Sequence, residues 1–99
     1  MPQAAAVLVG NWTKITRSEC SAVYPDRLQF ADNGLYAGEK DPPGSFTLWD
    51  SGSWEVSGPE QIRISTANDA VIAYRFTQSG DILRFTDPDG CEFEYRRER

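Results

Sequence analysis

The 99-residue chain has no histidine and only two cysteines, Cys20 and Cys91. The first absence removes the commonest general base. Together the two leave too few ligands for a four-coordinate structural zinc site. Basic side chains are also scarce, ten against fifteen acidic ones, for a net charge of −5. That balance excludes the basic face of a phosphate-tracking nucleic-acid binder. No apolar run approaches the roughly 18 residues of a membrane span, so partners are sought among small apolar ligands and proteins. The apolar stretch AAAVLVG at 4–10 is short and follows no basic region, which makes it a poor signal peptide. A native start at Met1 implies a cytoplasmic protein and a removed leader an exported one; the sequence leaves both open. No cofactor or metal is expected.

What the chain does have is a rhythm. Runs rich in Val, Ile, Thr, Tyr and Phe recur about every ten residues, separated by DNG at 32–34, DPPGS at 41–45, SGPE at 57–60, TANDA at 66–70, QSGD at 78–81 and DPDG at 87–90. The spacing predicts strands over 10–17, 26–31, 35–39, 47–57, 61–66, 71–78, 81–87 and 91–97, after a helical turn within 3–9. The fold class expected is all-β. Eight strands joined by short loops favour an antiparallel up-and-down meander that closes into a barrel, which removes its edges. Residues 1–99 read as one domain.

Alternation assigns the faces. The inward set is Leu28, Phe30, Tyr36, Leu48, Trp54, Val56, Ile62, Ile64, Ile72, Tyr74, Phe76, Leu83, Phe85, Cys91, Phe93 and Tyr95. Val56 opposite Ile62 leaves a loop at 58–60, and Phe85 opposite Phe93 leaves Pro88-Asp89-Gly90. Phe76 opposite Leu83 leaves Ser79-Gly80, and a three-residue Asp32-Asn33-Gly34 loop turns Tyr36 inward.

Closure pairs the first strand with the last. Cys20 then lies near Cys91, and Trp12 near Arg96 or Arg97, in one register to within a bulge. Arg97 shares a face with Phe93 and Tyr95, so its guanidinium can stack on the Trp12 indole, worth roughly 0.5–2 kcal/mol. Gly10 lets the chain pass closely beneath. An oxidised Cys20–Cys91 pair would contribute about 4 kcal/mol in the entropic model, whereas a cytosolic setting would keep both as thiols. Neither cysteine has a histidine to activate it, which excludes cysteine catalysis.

Gly10-Asn11-Trp12 on the first strand, with Arg97 ending the last, resembles the signature of the lipocalin-like (calycin) barrels. The resemblance implies that Gly10, Trp12 and Arg97 close one end of the barrel. It also implies that a small, partly apolar ligand enters at the other. The inward aromatics of so narrow a barrel read either as a solid core or as the lining of a shallow pocket. The residues a pocket would offer to such a ligand are Tyr36, Trp54, Tyr74 and Tyr95, whose rings have polar tips. Lys14 and Asp50, both assigned inward, could hold its polar group. The small bacterial inhibitors of metalloproteases also look like eight-stranded barrels with G-x-W and a cysteine pair. That resemblance implies a protein–protein module acting through an N-terminal arm, Met1–Val7. A small barrel enzyme (a cyclase or isomerase) using an interior tyrosine, Asp50 or Lys14 is a remoter reading, and no catalytic residue is assigned.

On the outer face, the same registers align Glu55, Arg63, Arg75, Arg84 and Glu94 across five strands. This row reads either as a solvated face or as a patch for an anion or acidic partner. Asp87-Pro88-Asp89-Gly90 fits a type I turn with a glycine bulge better than a calcium loop.

Overall fold

The computed structural model describes residues 7–40, 47–66 and 70–98. Eight antiparallel strands run in sequence order: β1 Gly10–Lys14, β2 Arg27–Phe30, β3 Leu35–Glu39, β4 Ser51–Gly58, β5 Gln61–Ser65, β6 Val71–Ser79, β7 Ile82–Thr86 and β8 Glu92–Arg97. Each pairs with the next, and β1 pairs with β8 to close the barrel. The alternation dictates the faces: β2 and β5 each place every second residue in the core. Between β1 and β2 a single 3-10 turn spans Cys20–Val23. Val7 and Leu8 are helical, and the rest of the expected N-terminal turn lies outside the described residues.

Several registers are those expected. Phe30 faces Tyr36, Val56 faces Ile62, Phe85 faces Phe93 and Trp12 faces Arg97. Those of β6 differ at both seams. Arg63 pairs with Ala73 rather than Arg75 on the β5 side. On the other side Phe76 pairs with Phe85 rather than Leu83, and the β6–β7 turn is Gly80-Asp81 between Ser79 and Ile82. Placing the turn one residue later keeps every inward side chain inward, because the register moves by two.

The fourth strand is also shorter than the expected 47–57. It begins at Ser51. The Asp50 carboxylate accepts a hydrogen bond from the Ser51 amide at 2.6 Å, a local turn that breaks the alternation. Asp50 is therefore exposed, not inward, and Trp49 is fully buried in its place. Likewise the first strand stops at Lys14 instead of continuing to residue 17, and the chain crosses to the 3-10 turn.

The registers sort the connections into two ends. The Trp12–Arg97 end carries the turns at 31–34, 58–61 and 79–82. The opposite end carries the Cys20–Val23 turn, Tyr24, Thr47–Asp50 and Cys91.

Candidate functional site

At the first end, Trp12 is fully buried and its indole N–H donates to the Leu8 carbonyl at 2.9 Å. The Arg97 guanidinium carbon lies 4.3 Å from the centre of the indole. Its Nη1 donates to the Val9 carbonyl at 3.1 Å and its Nη2 to that of Val7. Gly10 adopts φ +137°, and a Cβ there would stand 3.0 Å from Arg97 Nη1. A side chain at position 10 would thus meet both backbone strain and the guanidinium. One arginine satisfies the backbone of the incoming chain and covers the ring beneath it.

At the other end the barrel is plugged. Trp49 has ring centres of Tyr24, Tyr74, Phe85 and Phe93 at 4.9, 5.0, 5.0 and 5.6 Å. Tyr24 stacks on Phe93 at 4.0 Å. These separations suit edge-on and offset ring packing. The close approach of Trp49 needs Gly38, where a Cβ would lie 2.1 Å from the Trp49 carbonyl and 2.8 Å from Pro25 Cγ.

The polar tips of the expected ligand residues all have partners within the protein. Trp49 Nε1 donates to Tyr74 Oη at 3.1 Å, Trp54 Nε1 to the Ala31 carbonyl at 3.1 Å. Tyr36 donates to the Ser65 carbonyl at 2.5 Å and Tyr95 to that of Pro25 at 2.6 Å. Tyr24 donates to Asp87 Oδ2 at 2.8 Å. Burial is the main cause that raises the pKa of all four phenols, with Asp87 adding at Tyr24, Asp50 at Tyr36 and Asp26 at Tyr95.

Lys14 is buried as expected. Its ammonium donates to the carbonyls of Ser21 at 2.7 Å and Tyr24 at 3.0 Å and pairs with Asp26 at 3.6 Å. Burial lowers its pKa, and the Asp26 carboxylate works against that shift. The Cys20–Val23 turn that supplies Ser21 is tied to the barrel by a Cys20–Cys91 disulfide, with Cα atoms 5.9 Å apart.

Outside, the expected row of arginines is out of line. Arg63 faces Glu55 on one side, as expected, but Ala73 rather than Arg75 on the other. Arg75 faces Gln61 and Thr86 instead of Arg63 and Arg84. Arg84 faces Thr77 and Glu94, pairing with the Glu94 carboxylate at 2.7 Å. The three arginines are diagonal, not lateral, neighbours because the β6 register differs by two from the one assumed at both of its seams. The Asp87–Gly90 turn is built as expected. Asp87 Oδ1 accepts the amides of Asp89 at 3.0 Å and Cys91 at 2.8 Å, which occupies its lone pairs as a turn rather than as metal ligands. Asn68 and Asp69 of the TANDA loop, and the arm over 1–6, lie outside the described residues.

Two groups escaped sequence reasoning. Trp49 had a signal: a fourth strand drawn through 47–57 leaves a tryptophan facing water, next to a D-S-G turn sequence. Tyr24 had none, because it precedes Pro25 outside any strand. Among the described residues, no group of three His, Cys, Asp or Glu side chains gathers as a metal site.

Compared with known proteins, the chain matches no family model and no curated protein. The barrel itself is the architecture that the lipocalin-like resemblance implies, and a small barrel of this kind is consistent with a binding module.

Proposed function

We propose that this protein is a binding module that meets its partner with the outside of the barrel, while the interior serves as structure. The observation that supports this is Trp49. It is fully buried among four aromatic rings at the end where a ligand would enter, with its indole N–H on Tyr74. A ligand there would displace Trp49 and take its hydrogen bond from the buried Tyr74 oxygen, at a cost of about 1–3 kcal/mol beyond the lost packing. The reading is tested by titrating the native protein with apolar ligands, such as a fatty acid and an anilinonaphthalene dye. Emission from the three tryptophans is followed, all of them buried. The expected result is no saturable change. Saturable one-to-one quenching overturns the reading in favour of a ligand cup.

The protease-inhibitor reading is one form of surface binding. It is favoured by the grip of Arg97 on the Val7 and Val9 carbonyls, which gives an N-terminal arm a fixed point of departure. Deleting residues 1–6 then abolishes inhibition of a metalloprotease, and inhibition that survives the deletion removes this form.

A further inference from the structure

We propose that the groove on the outer face of β5, β6 and the β7–β8 turn is a docking site for an extended, acidic segment of a protein partner, held by Arg63 and Arg75. This rests on the surface-binding reading. The open groove has a volume of about 350 Å³, with Gln61, Ala73, Arg75, Thr86 and Pro88 in its lining, and Arg63 stands beside it, opposite Ala73. Ala73 is the reason for the dip. It faces Arg63 across the β5–β6 seam and precedes Arg75 by two positions on the same face, so a methyl group stands between two long side chains.

Both arginines are exposed. Among the described residues neither side chain makes an ion pair or hydrogen bond, as is also true of Arg96 on another face, whereas those of Arg17, Arg27, Arg84 and Arg97 all have partners. Glu55 lies opposite Arg63 in register yet forms no ion pair with it. Asp87 also lines the groove, and its carboxylate is engaged inside the protein, accepting from Tyr24, Asp89 and Cys91. Two guanidiniums with no partner among the described residues thus sit as diagonal neighbours on a protein of net charge −5. Like charges there repel, and an anionic partner relieves that repulsion.

Spacing narrows the partner. Diagonal neighbours on adjacent strands are about 7 Å apart. Alternate residues of an extended peptide, which point the same way, are also separated by about 7 Å. An acid-x-acid segment therefore presents one carboxylate to each guanidinium, with the forked geometry that arginine favours. The intervening residue points away from the barrel.

The test uses the oxidised full chain and two synthetic peptides, one alternating Glu with Thr and one alternating Lys with Thr. Binding is followed by calorimetry and by amide chemical shifts. The Glu peptide is expected to bind, to shift the amides of Gln61, Ala73 and Gly90, and to weaken as salt rises. Arg63→Gln and Arg75→Gln each weaken it about three- to fivefold and the double variant about tenfold or more. Arg96→Gln, an exposed arginine elsewhere, leaves it unchanged. No binding, equal binding of the Lys peptide, or shifts confined to another face overturns the docking site. None of these touches the surface-binding reading, which falls only if an apolar ligand occupies the interior.

Discussion

Raising the pH above 10 should unfold this barrel, and its four tyrosines should report the event together. All four are buried, and burial raises each phenol above its ordinary pKa near 10. A group whose folded pKa is raised contributes stability that is complete below the unfolded value and is lost as pH climbs past it. A hydroxyl held neutral in the fold loses at most about 1.4 kcal/mol of stability for each pH unit above 10, so four lose at most about 5.5. Domains of this size are stable by about 5–15 kcal/mol, so one to three units above 10 suffice to unfold the chain. Lys14 acts oppositely. Its pKa is lowered by burial, so its contribution grows as pH rises from the folded value to the ordinary one near 10.5 and is constant beyond. The assay is the tyrosinate absorbance band followed beside circular dichroism. Absorbance should stay flat until a single transition in which all four phenols ionise as the strand signal is lost. One tyrosine titrating near pH 10 with the barrel intact would refute the burial argument for that ring.

Three further outcomes follow from particular contacts. Gly38→Ala places a methyl group 2.1 Å from the Trp49 carbonyl. Overpacking of this kind costs about 1–3 kcal/mol or more, so melting should fall by at least about 4 °C, and an unchanged melt would contradict the packing. Arg97→Ala removes the indole stacking and the hydrogen bonds to Val7 and Val9. A loss of about 2 kcal/mol is expected by denaturant titration, and Arg97→Lys should recover only part of it because an ammonium lacks the fork. Acylation of the native protein should modify Lys40 and spare Lys14, which is 4 % exposed. Reducing the disulfide frees the turn that carries Ser21, so it should lower stability by about 4 kcal/mol and expose Lys14 to the reagent. Equal labelling of both lysines with the disulfide intact would contradict the carbonyl cage.

Much of the fold was legible because a barrel wall obeys a period of two. Ile62, Ile64, Tyr74, Phe76, Leu83, Phe85, Phe93 and Tyr95 all lie inward as alternation requires. The seam was legible because Trp12–Arg97 and Cys20–Cys91 test it independently. What alternation cannot see is a change of register by two, which preserves every face. That is why the β6 pairings and the arginine row are misaligned while the faces of β6 and its neighbouring strands are right. It also cannot follow a chain that leaves the strand, and there Asp50 and Trp49 exchanged places. The site depended on those two failures. With Trp49 outward nothing in the sequence decides between a filled core and a shallow pocket, and with the arginines in line the outer face reads as a ladder instead of a groove around Ala73.

The central claim is that the interior is filled by the protein's own side chains. The most direct test is a native mass spectrum of the protein freshly purified from its own source without reductant. The expected result is the mass of the protein alone, less two hydrogens for the Cys20–Cys91 bond. An adduct of a few hundred daltons that leaves on denaturation would contradict it and make the barrel a carrier.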